Sequence, residues 1–346
     1  MKVLHSADWH LDSPALSDPS LRRALLSLPR QVTELALKEQ CDLMLLSGDL
    51  FDGQWSPESL CAAQRALREA GMPVFIAPGN HDPMGPGSPW QQPGWPENVH
   101  IFRESTPQSL CLPGLDCRVW GAAFQSAHSA CLLEGFRAEG TERYALGVFH
   151  GDPTQPDSPY SPIARGQVLE SGLDYLALGH IHKSGSFRAG DTLCAWPGCP
   201  MGRGFDECGE KGVLIVSLEE GCQARFVPLA LPRFHWLTAE VKGDPYAAVS
   251  ALLPGAGSQD HYRIELTGEC EAFDAEALAG AFPDFPNLEL RDCTAAPPAL
   301  WASAGQDTLE GVYFSLLQEA QAPEHIRQLA ARISRKLLLG QEVELP

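Results

Sequence analysis

The chain has 346 residues, 44% of them hydrophobic, enough to bury the core of one large domain and something smaller. Its formal net charge of −19 is shared almost evenly: residues 1–232 carry 17 basic and 27 acidic groups (−10) and residues 233–346 carry 8 and 17 (−9), which excludes a basic nucleic-acid-binding half and makes any phosphate recognition local. No apolar run approaches the roughly 20 residues that span a bilayer, no signal-peptide pattern precedes the first strand, and the eleven cysteines are odd in number without a CxxC pair, so no membrane association, reduced thiols and a cytoplasmic setting are expected.

In chain order, apolar and capping patterns predict a strand over 2–7, a helix over 20–40 and a strand over 42–47. A helix opened by Ser56 as N-cap with Pro57 at its first position follows, then a strand over 73–77, completing a βαβαβ run. The stretch from Asp82 to Pro96 holds five prolines and three glycines and predicts a long loop. Trp90 and Trp95 within it either stack on a substrate base or anchor the loop to the body. Strands are next expected near 118–121, 144–149, 174–178, 192–196, 212–218 and 222–228 with few helices between them, so a second sheet should pack on the first. The fold class is therefore α/β, a four-layer α/β/β/α sandwich over residues 1–232. From 235 the order becomes strand, helix, strand, helix, strand (235–241, 244–252, 261–266, 273–281, 287–292), a smaller α+β domain over 233–300. Residues 301–346 are expected to be helical. Leu309, Val312, Tyr313, Leu316 and Leu317 repeat with helical spacing behind Asp307 as cap with Glu310 three residues on. A last helix over 323–339 carries Ile326, Leu329, Ile333 and Leu337 on one face, with Arg327, Arg332, Arg335 and Lys336 elsewhere.

Five short motifs follow apolar runs in the first half: Asp8-Trp9-His10, Gly48-Asp49, Gly79-Asn80-His81-Asp82, His150-Gly151 and Gly179-His180-Ile181-His182. In open α/β sheets the loops beyond the carboxyl ends of the strands converge on one crevice, so groups as far apart in sequence as Asp8 and His182 can meet there. Asp8 and His10 alternate with Trp9 as the chain leaves a strand, which directs both to one side, where they can chelate one metal ion. Asp49, in a turn where Gly48 permits close approach, is assigned as a carboxylate bridging two ions. Asn80, His150 and His180 join it around the second ion, and His182 completes the shell of the first. For any one of these residues the plainer reading is a buried, hydrogen-bonded polar group; the ordered set carries the signal. Two divalent cations against Asp8, Asp49 and one hydroxide leave one net positive charge, suited to phosphate in an acidic protein, and two such ions suit phosphoester hydrolysis. His81 is not needed as a ligand and is the candidate catalytic residue, protonating the leaving oxygen or clamping the phosphate, oriented by Asp82 or Asp52; the alternative is that it only structures its loop. Carboxylate, amide and imidazole ligands suit Mn, Fe, Co or Zn. Cys194, Cys199 and Cys208 would form a soft metal site only if the fold gathered them, and their spacing matches no common zinc pattern.

The motif set resembles the calcineurin-like metallophosphoesterase superfamily. Its flanks, His10-Leu11-Asp12-Ser13-Pro14, Gly48-Asp49-Leu50-Phe51-Asp52, Pro78-Gly79-Asn80-His81-Asp82-Pro83 and the run from Pro197-Gly198 to Gly212, resemble the DNA-repair exonuclease branch that contains SbcD and the YhaO-like bacterial proteins. The likeness to the YhaO-like proteins extends to Tyr262-Arg263-Ile264-Glu265-Leu266-Thr267-Gly268-Glu269. The resemblance implies a manganese-dependent nuclease domain acting on DNA, with the α+β unit as a capping domain that shapes the DNA approach. It also implies an SbcC-type coiled-coil ATPase as partner, which the C-terminal helices either dock or ignore by packing on their own domain. A homodimer is compatible with this reading. The protein phosphatases of the superfamily follow the GDxxD pattern with an arginine that grips phosphate, whereas here Gly53 follows Asp52, and the acidity departs from the more basic SbcD surface. The competing functions are a phosphodiesterase for small-molecule or cyclic nucleotide substrates and a metal-bound scaffold without catalysis.

Overall fold

The structure, a computed structural model, describes residues 1–295 and 300–340. The chain forms two compact units. The first comprises Met1–His235 with Gln259–His261. The second begins at Trp236 and, apart from those three residues, takes in the described chain beyond it.

The elements of the first unit are β1 (Lys2–Ser6), α1 (Pro19–Lys38), β2 (Leu43–Leu46), α2 (Pro57–Ala70), β3 (Val74–Ile76), β4 (Val99–Ile101), β5 (Gln108–Leu112), β6 (Cys117–Gly121), β7 (Tyr144–His150), α3 (Arg165–Glu170), β8 (Tyr175–Gly179), β9 (Gly185–Ala189), β10 (Thr192–Trp196), β11 (Gly212–Ser217) and β12 (Gln223–Pro228). They make two six-stranded sheets, in the orders β12-β11-β1-β2-β3-β4 and β5-β6-β7-β8-β10-β9. β1, β2, β3 and β4 run parallel, as do β6, β7, β8 and β10, so the carboxyl ends of the motif-bearing strands open in common directions. Val3, Leu43, Leu45 and Phe75 of one sheet pack against Val119, Leu146, Val148 and Tyr175 of the other, forming the inter-sheet core. Strands buried on both faces read as continuous apolar runs, which is why β2 could be found from Leu43 to Leu46 alone.

Outside the first sheet, α1 and α2 bury Leu21, Leu25, Leu28, Leu60, Ala63 and Leu67. Ser56 caps α2 through its bond from the Ser59 N–H (3.1 Å). The outer layer of the second sheet is thinner: the six-residue α3 with Phe124, Leu132 and Leu133 from a loop. β4, β5 and β9 add to the strands expected from sequence. All three are sheet edges, β4 of the first sheet and β5 and β9 of the second, and none is buried along its whole length, so they lack a sustained apolar signal.

In the second unit β13 (Phe234–Lys242), whose first two residues belong to the first unit, joins β14 (His261–Glu269) and β15 (Leu288–Asp292). With α4 (Pro245–Ser250) and α5 (Ala275–Gly280) they enclose Ala239, Val241, Val249, Ile264, Leu266 and Phe282. α6 (Leu309–Glu319) and α7 (Glu324–Leu338) follow. The cap of α6 is Thr308, not Asp307: its hydroxyl accepts the Gly311 N–H at 3.0 Å. Phe314 is buried beneath the Arg335 guanidinium, but Leu309 is 90% and Leu316 64% exposed, with Val312, Tyr313, Ile326, Leu329 and Leu337 also in solvent. The expected helical stripe exists, yet most of it covers no core among the described residues. No helix among them is long and apolar enough to cross a membrane.

Candidate metal centre

The motif loops leave the ends of β1, β2, β3, β7 and β8. β1 stops at Ser6, and Asp8, His10 and Asp12 then take φ of 53°, 48° and 62°, a left-handed region that costs non-glycine residues energy. The extended alternation expected for Asp8 and His10 is thus replaced by a tight zigzag. It is stitched to the neighbouring loop by Asp8 N–H to Gly48 O (3.0 Å), His10 N–H to Asp49 O (2.9 Å) and Leu11 N–H to Leu50 O (2.9 Å). Trp9 points into the core and donates to Ser6 Oγ at 2.8 Å, leaving Asp8 and His10 toward the crevice. Asp49 (φ 53°) and His180 (φ 97°) share the strain. Close approach explains Gly48: a Cβ there would lie 2.5 Å from His150 Nδ1. One at Gly79 would strike the Asp49 carboxylate.

The loops bring the seven proposed ligands into two adjoining groups. Asp8, His10 and His182 have ligand atoms within 4.8 Å of one another, as do Asp49, His150 and His180. Asn80 Oδ1 lies 2.8 Å from His150 Nε2 and 3.1 Å from His180 Nδ1, joining the second group. His10, Asp49 and His81 form a third cluster that links the two. The Asp8 carboxylate is pinned by the His180 N–H (2.9 Å) and that of Asp49 by the His81 N–H (2.8 Å).

The donor chemistry fits divalent ions. His150 Nδ1 is 2.8 Å from the Ser47 carbonyl, an acceptor only, so Nδ1 carries the proton and Nε2 turns a lone pair toward Asn80 Oδ1 and Asp49 Oδ2 (3.3 Å). His182 Nδ1 likewise gives its proton to Glu207 Oε1 (2.6 Å), leaving Nε2 facing His10 Nε2 at 3.1 Å. Converging acceptors repel unless a cation lies among them, and an outer partner fixing each ring is the usual support of a metal-bound histidine. The protein alone answers that need with a proton: burial opposes charge on His150, but the Asp49 and Asp8 carboxylates outweigh it and raise His150 to about 9. His180, desolvated and beside His150, is lowered to about 4.

Asp52, rather than Asp82, orients His81. Asp52 Oδ1 is 2.6 Å from His81 Nδ1, a bond that raises the His81 pKa. Burial would push Asp52 up, yet bonds from His10 and His81 hold it well below the usual carboxylate range. The Asp82 carboxylate instead accepts main-chain N–H groups of Gly79 (2.7 Å), Leu50 (2.6 Å), Phe51 (3.1 Å) and Asp49 (3.2 Å), so its task is to shape the loops. Burial and the Asp49 charge push it to about 7 against those donors. Trp90 anchors its loop: buried, stacked on Trp95 (5.4 Å) and donating to Asp82 O, it offers no face to a substrate.

Residues 1–184 match the calcineurin-like phosphoesterase family. The chain belongs to that family. Its relatives include the uncharacterized metallophosphoesterase YhaO of Bacillus subtilis (strain 168), 32% identical over 241 residues, 64% of this chain but only 58% of that one. The SbcD component of the SbcCD nuclease from the same organism is 24% identical over 296 residues, 71% of this chain and 75% of that one. These are the branch that the motif flanks resemble. Among solved structures, a dimetal phosphatase from Danio rerio aligns at a TM-score of 0.45 and 11% identity, covering 66% of this chain and 99% of that one. Membership implies a metal-dependent phosphoesterase domain. Divalent ions in such a site supply Lewis acidity to the reacting phosphate. The chain's own residues orient the ligand rings and hold the His81 imidazole, its pKa raised by Asp52, at the half-exposed rim.

Sequence reasoning passed over Ser47, His5, Arg203 and Glu207. Ser47 acts through a main-chain carbonyl, which no side-chain motif reveals. Glu207 and Arg203 stand in the run after Pro197-Gly198 that carried the resemblance, four residues apart, and that spacing was the available signal. Cys194, Cys199 and Cys208 are not gathered among the described residues; Cys199 lies instead beside His182 and Glu207.

Proposed function

We propose that the chain is a two-metal phosphodiesterase acting on DNA, an exo- or endonuclease subunit in DNA repair, with Mn2+ at both positions. In this reading Asp8, His10 and His182 would hold one ion and Asn80, His150 and His180 the other, Asp49 would serve both, and His81 would deliver the proton to the leaving oxygen. The observation that carries it is the pairing of two adjoining ligand groups with a separate imidazole, His81, whose Nδ1 lies 2.6 Å from the Asp52 carboxylate, a bond that raises its pKa, since an alkoxide leaving from a nucleotide needs a proton. The SbcD relatives are named as subunits of the SbcCD nuclease, and with the resemblance of the motif flanks this favours DNA as substrate and a coiled-coil ATPase of the SbcC type as partner. The apolar faces of α6 and α7, which nothing among the described residues covers, would suit such a partner, and eleven free cysteines suit a cytoplasmic setting.

Digestion of end-labelled linear and hairpin DNA with added Mn2+, by the wild type and His81→Ala, tests this. Cleavage is expected from the wild type alone, and equal cleavage by both overturns the assignment of His81. The net charge of −19 favours a second reading, a phosphodiesterase for small or cyclic nucleotides, because duplex affinity comes chiefly from neutralising phosphates. Hydrolysis of bis-p-nitrophenyl phosphate with none of DNA, with or without an ATPase partner, would select it.

A further inference from the structure

Arg203 lies in none of the five ligand motifs, yet it sits between the two functions of the site. Its main-chain N–H and Nη2 donate to the Glu207 carboxylate at 2.8 Å each, its Nε approaches the same group at 3.3 Å, and its Nη1 stands 3.4 Å from Asp52 Oδ2. Glu207 in turn takes the proton of His182 Nδ1, and Asp52 that of His81 Nδ1, each at 2.6 Å. An unbroken chain of charged hydrogen bonds therefore runs His182–Glu207–Arg203–Asp52–His81, from the loop after β8 to the loop after β3.

We propose that Arg203 is a positioning residue, a strut that fixes the proton-donating ring of His81 relative to the ion-holding ring of His182. The inference rests on the roles given to those two histidines above. Two carboxylates, 10% and 8% exposed, face each other across the guanidinium and would repel without it. A planar guanidinium binds both at a set spacing, which a lysine ammonium cannot do. The same commitment separates the strut from a phosphate grip: Nε faces Glu207, Nη2 faces both Glu207 and, at 3.1 Å, His182 Nδ1, and Nη1 is turned to Asp52, so little of the fork remains for substrate.

The test uses the full chain with Mn2+ and two readouts, Mn2+ affinity by calorimetry and steady-state kinetics on two substrates. Bis-p-nitrophenyl phosphate releases a phenolate that needs no proton, whereas a dinucleoside phosphate releases an alkoxide that does. Arg203→Ala is expected to weaken Mn2+ binding about tenfold through His182. At saturating Mn2+ its kcat on the dinucleoside phosphate should fall about 10²-fold and that on the activated diester less than about threefold, with added guanidinium restoring part of the loss. Glu207→Gln should show the metal defect without the leaving-group split. A raised KM with unchanged kcat on both substrates would make Arg203 a substrate grip and overturn the strut. Should Arg203→Ala fail to fold, Arg203→Lys keeps the charge without the fork and should show a smaller version of both effects; identity with the wild type in both readouts also overturns it. If the wild type hydrolyses neither substrate, the proposed function fails, while the Mn2+ affinities still decide whether Arg203 braces His182.

Discussion

His150 and His182 stand on opposite sides of the centre and are braced by opposite means. His150 is fully buried, and its outer nitrogen meets the carbonyl of Ser47. Behind Ser47, His5 joins the two sheets with neutral hydrogen bonds, 2.7 Å to Ser47 Oγ and 2.7 Å to the Tyr175 hydroxyl. His182, 29% exposed, leans on a carboxylate, a guanidinium and a second carboxylate. Where water is excluded the chain uses dipoles, since an unpaired charge there is costly; at the rim it uses ions, which tolerate partial solvation.

The change that should erase the contrast is Asp49→Ala, because Asp49 belongs to both sides. Metal analysis should find both ions lost and phosphodiester hydrolysis down about 10³-fold or more; full retention of two ions would remove Asp49 from the bridging role. His81→Ala should leave the contrast intact, with metal content unchanged and kcat on DNA about 10²-fold lower. Loss of metal in that variant would make His81 a ligand. His5→Phe attacks only the dry side, leaving the Tyr175 hydroxyl and Ser47 Oγ unpaired. Denaturant unfolding should register about 2 kcal/mol of destabilisation, whereas an unchanged midpoint would show that the inter-sheet bonds carry no weight.

The same residue also gives the fold a pH dependence. Burial lowers His5 from 6.5 to about 3, so between those values the unfolded chain binds the proton that the folded one refuses. Stability from this group is intact above about pH 6.5 and falls by up to about 1.4 kcal/mol for each unit below it. Asp82, raised to about 7, pulls the other way over the same window and His180, lowered to about 4, the same way, so the difference in unfolding stability between wild type and His5→Phe at pH 7.0, 5.5 and 4.5 isolates the His5 contribution; a difference that does not change with pH would overturn it.

Much of this was legible in the sequence where a residue's task is set by its own segment. Leu43–Leu46 announces a buried strand, Ser56 with Pro57 announces a helix start, and the ligand types stand beside the strands that carry them. What escaped depends on partners far away in sequence. The pairing of Arg203 with Asp52 spans 151 positions. The choice of Asp52 over Asp82 for His81 turns on which carboxylate is consumed by main-chain donors. The left-handed turns at Asp8 and His10 are forced by the adjacent loop rather than by their own preference. For α6, the spacing of Leu309, Val312 and Leu316 identifies a face but not what covers it.

The Trp90–Trp95 stack has a practical consequence. Two indoles at 5.4 Å and 30° should couple their electronic transitions, giving a split signature in near-ultraviolet circular dichroism. Because Trp90 also holds the carbonyl of Asp82, whose carboxylate gathers the loops carrying Asp49 and Asn80, that signal gives the molecule a built-in optical gauge of whether its centre is assembled, readable without any substrate.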